Sequence, residues 1–338
     1  MIENLNMIAD RIKADDVGKQ DMYAQLSGLR MNESGRVMVK GKSFGMTDYA
    51  VGQIFTKLRI PVGYGKRLMA ERPDLVAREF NYWVSREPDR RILVRYREGS
   101  DSRIPSRDNE IRAFLSDKYA RVNNKDMFDA LDSIVSYSDQ EVNVSLFGLD
   151  DHRAHIRLTF PDMTSRFGVA LGGQDDDIVA GVDILNSEVG ASRLIVSPVV
   201  WRLVCSNGMR AWRADGEGLR QRHIHIEPSE LRERMAIAMK DSITESDTMI
   251  EKLRSTRVRK VYDPYEIIEK LAKKEMYSED LTEMIQDNFG IEPDYNVYGI
   301  INAFTRTARD FDIKHRLNLE RLAGKLITDD LLKEFDAA

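Results

Sequence analysis

The spacing of apolar residues predicts helices at both ends of the chain and strands in the middle. From Ile2 to Ala14 apolar positions recur at helical spacing, so the chain opens with a helix. Met22–Arg30 and Arg36–Lys40 follow as two arms of a hairpin. Asn32-Glu33-Ser34-Gly35 supplies the turn chemistry between them. Thr47 stands where an N-cap belongs, ahead of Val51, Ile54, Phe55 and Leu58 at helical spacing. Pro61 stops that helix, and Pro61 and Pro73 each occupy the place of a first-turn proline. After Pro73, Leu75, Val76, Phe80 and Trp83 form a stripe expected to face the core.

At Arg90 the period changes to two. In RRILVRYR, Ile92, Val94 and Tyr96 point one way, while Arg91, Leu93, Arg95 and Arg97 point the other. The pattern predicts a strand with one buried face and one wet face. IRAFLSDKYARV continues as strand and turn, and Asn124 is placed to cap a helix carrying Met127, Leu131 and Ile134. EVNVSLF and DHRAHIRLTF read as a hairpin around Gly148–Asp151. Its second strand has an apolar face of Ala154, Ile156, Leu158 and Phe160, and a polar face of Arg153, His155, Arg157 and Thr159. Further strands are expected at Ile178–Leu185, Arg193–Ser197 and Arg220–Ile226.

Beyond Glu227-Pro228-Ser229 the pattern is helical. Ser229 would cap a long helix running to about Val258; Asp263-Pro264 starts another, and Gly290 and Pro293 mark the next break. The chain therefore reads as α+β: a central mixed or antiparallel β-rich core with packed helices, followed by a helical C-terminal region. Its organisation is an N-terminal helix, hairpin and helix over 1–60, a β-rich core over 61–227, and a helical region over 228–338. No repeat of solenoid length is present.

Composition narrows the setting. The 338 residues hold 42% apolar and 32% charged residues, enough for a core and too apolar for a disordered chain. No apolar run is long enough for a membrane span, and the acidic start is unlike a secretory signal. The single cysteine, Cys205, forms no intrachain disulfide and fits a reducing compartment, where it reads as a small hydrophobe rather than a nucleophile. The formal net charge of −5 is unevenly spread. Arg193–His225 carries six arginines against two acidic residues, whereas Val261 to the end carries ten basic against seventeen acidic residues. The acid at the C-terminus hides a basic middle that suits a polyanion.

Within that middle, side chains at i and i+2 of a strand stand about 6.6 Å apart. Arg91, Arg95 and Arg97 would thus form one line of forked cations, and Arg153 with Arg157 a second. Arg202, Arg210 and Arg213 surround a Ser206-Asn207-Gly208 turn that can aim backbone N–H groups at an anion. Opposed to these is the plainer reading, a solvated sheet face with arginines paired to carboxylates. His223 and His225 share a strand face but have no evident third ligand, and Asp175-Asp176-Asp177 reads first as a polar loop tip and only then as a metal site. Gly63–Lys66 lacks P-loop spacing, and no nucleophile elbow, HExxH or dinucleotide fingerprint is present. No cofactor or metal is implied.

IRAFLSDKYARVNNKDMFDAL, GVDILNSEVGASRLIVSP, WRLVCSNGM and VYGIINAFTRTARD resemble, in order and spacing, a family of phage- or plasmid-like proteins named for a domain of unknown function. The resemblance spans about residues 50–325. It brings no catalytic residues with it. It implies a mobile-element gene expressed in a bacterial cytoplasm, and the hairpin-then-helix order is similar to that of phage single-strand annealing proteins.

Together these features favour a binding protein over an enzyme. The expected function is single-stranded DNA binding or annealing in recombination or replication, by a homo-oligomer, through Arg91, Arg95, Arg97, Arg153, Arg157, Arg202, Asn207, Arg210 and Arg213. The acidic C-terminal region would then meet phage or host proteins. The alternatives are a phage interaction or counter-host factor without nucleic acid, and a metal-dependent nuclease using Asp175–Asp177 or His223 and His225.

Overall fold

The computed structural model describes residues 5–99, 109–136, 141–169, 175–202, 207–210, 219–221 and 228–327. Two six-stranded sheets organise them. The first is built from β1 (Lys19–Gln25), β2 (Arg30–Met31), β3 (Val37–Val39), β4 (Lys42–Met46), β5 (Arg91–Arg97) and β6 (Glu110–Ser116), in the order β1-β5-β6-β4-β3-β2. It therefore joins strands from both sides of residue 60. Its pairs are antiparallel except β4 with β6.

Thr47 caps α2 (Asp48–Lys57) as expected, its hydroxyl accepting from the Ala50 N–H. α3 (Val62–Glu71) begins one residue after Pro61, and Pro73 is the first residue of α4 (Pro73–Val84). The helices α2 and α4 cover the face of the sheet that carries Ile92, Val94 and Tyr96. In α4 the buried stripe is Val76, Ala77, Phe80 and Val84. Trp83, expected on the core side, is 44% exposed. Phe80 selects the residue four positions on, Val84, and so turns Trp83 outward.

The second sheet contains β7 (Asn143–Leu149), β8 (Ala154–Val169), β9 (Asp175–Asn186), β10 (Leu194–Arg202) and β11 (Asn207–Arg210), in reverse sequence order. β12 (Leu219–Gln221) pairs with the other end of β10. Every pair in this sheet is antiparallel. Asp175–Asp177 are the opening residues of β9 rather than a loop tip. α1 (Leu5–Asp16), α5 (Asn124–Ser136) and the first half of α6 (Pro228–Val258) pack over Ile156, Leu158, Val182 and Ile184. Asn124 is helical rather than a cap: the Met127 N–H reaches back to the Asn123 carbonyl.

The second half of α6 joins α7 (Pro264–Lys274), α8 (Glu279–Ile291), α9 (Val297–Thr307) and α10 (Ile313–Lys325) around a core that includes Ile250, Leu253, Phe289, Ile301 and Phe304. The α+β class and the helical C-terminal region are as the sequence indicates. Among the described residues no helix is long and apolar enough to cross a membrane.

Gly181 lies where β8, β9 and β10 are pressed together. A Cβ there would sit 2.3 Å from the Leu158 carbonyl oxygen and 3.1 Å from Val199 Cγ1. Because the nearer obstacle is backbone, it cannot rotate away. Gly181→Ala is expected to lower unfolding free energy by about 1–3 kcal/mol in chemical denaturation; an unchanged midpoint would show that the strands can separate at that point.

Candidate functional site

The parity expected of the arginine strands is correct, but the wet faces are not. On β5, Leu93 and Arg95 point away from α2 and α4 as read from the sequence. That face is covered by the β9–β10 connection, where Ser187, Glu188 and Val189 are buried. Arg95 is itself buried. Its Nε donates to Asp21 at 2.8 Å, one terminal nitrogen donates to the Glu188 carbonyl at 2.9 Å, and the other reaches Asn123.

Glu188 is the centre of this layer. Its carboxylate receives Arg112 at 2.6 Å, Lys19 at 2.8 Å and the Asn124 backbone N–H at 2.8 Å. Burial pushes its pKa up, but Lys19 and Arg112 outweigh that and hold it at about 2. The surrounding loop is pinned as well. Tyr119 donates to the Ser187 carbonyl, Gln53 donates to the Val189 carbonyl, and Asn186 donates to Asn124 Oδ1. Gly190 then turns the chain in the left-handed region, φ 80°.

The second arginine line is also internal. Arg157 is fully buried and forms a two-pronged pair with Asp183, its register partner on β9, at 2.6 and 2.8 Å. Its terminal nitrogens reach Glu320 of α10 at 3.1 and 2.6 Å. Burial works against the charge, but the two carboxylates raise the Arg157 pKa above its ordinary value. His155 is buried beside them, with Nε2 3.2 Å from Asp183. α10 is thus the lid on the polar face of β8 and β9.

Arg202 completes a third cluster. It donates to Asp176 at 2.6 Å and to both oxygens of Glu292 at 2.9 and 2.6 Å. The other Asp176 oxygen accepts from Arg257 and from the Tyr298 hydroxyl, each at 3.1 Å. With both oxygens so engaged, Asp176 acts as the counter-ion of this cluster. Among the described residues no group of three or more His, Cys, Asp or Glu is placed to hold a metal.

The remaining candidates divide. Arg97 is partly buried and paired with Asp15 at 2.8 Å, and Arg153 reaches the Ala191 carbonyl at 3.3 Å. Arg91 is exposed, its guanidinium 4.0 Å from the Tyr23 ring centroid. Asn207 and Arg210 are described as backbone of β11, where Asn207 pairs with Arg202, but not in their side chains. Arg213, Cys205, His223 and His225 lie outside the described residues.

A largely exposed stretch of chain that sequence reasoning missed runs from Tyr82 to Arg91. Tyr82 is 50% exposed and meets Trp83 edge to face, with ring centroids 5.1 Å apart. The Arg86 guanidinium sits over the Tyr82 ring, 3.7 Å from its centroid. Arg90 and Arg91 are exposed at the far end of the same stretch. Asp89 accepts from the Ser27 hydroxyl and Glu87 lies 3.7 Å from Arg90, so arginines remain in excess. The signal was present in the sequence: adjacent aromatics stand about 100° apart on a helix, so Tyr82 and Trp83 cannot both face the core.

Two outcomes test the buried charges. Glu320→Ala leaves Arg157 short of a counter-charge and is expected to cost about 3–5 kcal/mol in denaturant unfolding; a loss within error would place α10 elsewhere. The depressed Glu188 pKa gives stability that is present above the usual 4.5 and lost as pH falls toward 2. The size is about 3 kcal/mol, and the check is urea unfolding across that window. In Glu188→Gln that step should vanish, and the protein should already be weaker near neutrality.

Residues 113–292 match the family model described as Domain of unknown function (DUF932). No curated protein and no solved structure matches the chain. The matched stretch contains Glu188, Asp183, Arg157, Asp176 and Arg202, while Lys19, Arg95 and Glu320, which help neutralise those clusters, lie outside it. The match covers more than half of the sequence, and the chain belongs to the DUF932 family.

Proposed function

We propose that the chain binds single-stranded nucleic acid, single-stranded DNA first, through the exposed aromatic and arginine stretch Tyr82–Arg91. The observation that carries this reading is the Arg86–Tyr82–Trp83 group at the open end of α4. Exposed rings give unpaired bases a surface to stack on, and neighbouring arginines give phosphates a counter-charge, so sequence matters little. A duplex hides its base faces and would gain only the charge term. Arg91, over Tyr23, is an exposed member of the candidates first read in the sequence and continues the stretch into β5, on the sheet face away from α4. Arg95, Arg157 and Arg202 act in the interior as scaffold.

The wider setting belongs to the same proposal. A phage- or plasmid-borne gene acting in a bacterial cytoplasm, with annealing in recombination or replication by a homo-oligomer, fits a binder with this sequence tolerance. The acidic C-terminal helices would be left for protein contacts. Tyr262, Tyr265 and Tyr295 are exposed there, and this favours a second reading, a protein-docking role without nucleic acid.

Fluorescence anisotropy with a labelled oligothymidylate and its duplex, at low and moderate salt, separates the two. Single-strand preference and a steep fall with salt are expected. Tyr82→Ala and Trp83→Ala should each weaken binding by about 1–3 kcal/mol, with thermal stability retained. Arg86→Ala should also flatten the salt dependence. Absence of binding at low salt would overturn the proposal and leave the docking role.

A further inference from the structure

A groove of 790 Å³ opens on another side of the first sheet, between α2, the start of α3, the end of β6 and the β7–β8 turn. Tyr49, Lys57, Lys66, Tyr119, His152 and Gly190 are among the residues lining it. Its volume falls in the range of small-molecule sites, about 300–1,000 Å³. Its floor is firm, because Gln53 and Tyr119 fasten it to the buried β9–β10 connection.

The chemistry of the walls is uneven in a useful way. Tyr49, half-buried, and His152 hold their rings 5.0 Å apart at 57°, an aromatic corner on the groove wall. Lys57 comes from the last turn of α2 and is partly buried in the groove. Among the described residues no carboxylate pairs with it, although Lys66 nearby is held by Asp48 at 2.6 Å. Burial and the neighbouring Arg90 both lower the Lys57 pKa. A half-buried cation repelled by a second cation lacks a counter-ion, and a bound anion would relieve both costs.

We infer that this groove is a nucleotide site, in which Lys57 holds the phosphate and the Tyr49–His152 corner takes the base. Inorganic phosphate offers only half of that complement. The nucleotide comes either free or as the phosphorylated end of a strand. The site does not depend on the Tyr82–Arg91 surface, so the two readings fail separately.

Isothermal titration of the full chain with a deoxynucleoside monophosphate, inorganic phosphate, and an oligothymidylate with and without a 5′-phosphate is the test. The monophosphate should bind about tenfold or more tightly than phosphate alone. Lys57→Ala should weaken it by about tenfold, the scale of one charge-assisted contact, and Lys57→Arg should restore most of the loss. Trp83→Ala should leave monophosphate binding unchanged. A 5′-phosphate advantage that disappears in Lys57→Ala assigns the strand end as a source; monophosphate binding without that advantage assigns the free nucleotide. Undetectable monophosphate binding, equal binding of inorganic phosphate, or indifference to Lys57→Ala in a protein of unchanged melting temperature would each overturn the inference.

Discussion

The buried Glu188 carboxylate is the constraint on which the two sheets depend. It sits on the connection between β9 and β10 of the second sheet, yet two of its counter-charges, Lys19 and Arg112, belong to the first. Desolvating a carboxylate costs several kcal/mol, and one cation seldom repays it. Two cations and a backbone N–H do so here. The consequence is specificity: a one-residue slip in β5 or β6 would carry Arg95 or Arg112 away from the Glu188 loop and weaken its neutralisation. The loop thus fixes the register of a sheet to which it contributes no strand.

The same logic explains why an arginine-rich middle coexists with a net charge of −5. Arg95, Arg157 and Arg202 each take two or more partners, drawn from elements distant in sequence. Their bidentate forks suit a buried carboxylate, which a point-charge lysine would serve less well. Glu292 and Glu320, two of the C-terminal acids that seemed to mask a basic surface, instead neutralise a basic interior. This gives the helical region a role in closing the fold, since Glu320 comes from α10 and Glu292 follows α8. It also shows why the family-matched stretch is not electrostatically complete by itself: several counter-charges come from its flanks.

Local structure was legible in the sequence to the extent that local chemistry determines it. The Thr47 cap, the Asp150 turn, the alternation along β5 and β8, and the break after α8 all rest on residues within a few positions of one another. Which faces meet water was not legible. Period-two alternation separates apolar from polar positions, but it cannot say that a loop 90 residues on will cover Arg95 or that α10 will cover Arg157. The open aromatics were misread for a related reason. Trp83 satisfies helical spacing with Val76 and Phe80 as well as Val84 does from Phe80, and only the packing of α4 on the sheet separates them.

The rigid interior bears on both binding readings. Stacking and phosphate contacts gain most when the groups that make them are already held in place. The Tyr82–Arg91 stretch runs directly into β5, whose Arg95 is fastened to Asp21 and to the Glu188 carbonyl; the groove floor hangs on the same connection through Tyr119 and Gln53. The two surfaces also meet electrostatically where Arg90 repels Lys57. Burial and the neighbouring Arg90 leave the half-buried Lys57 amine in want of a counter-charge, and the fixed floor beneath the groove holds that demand at one place.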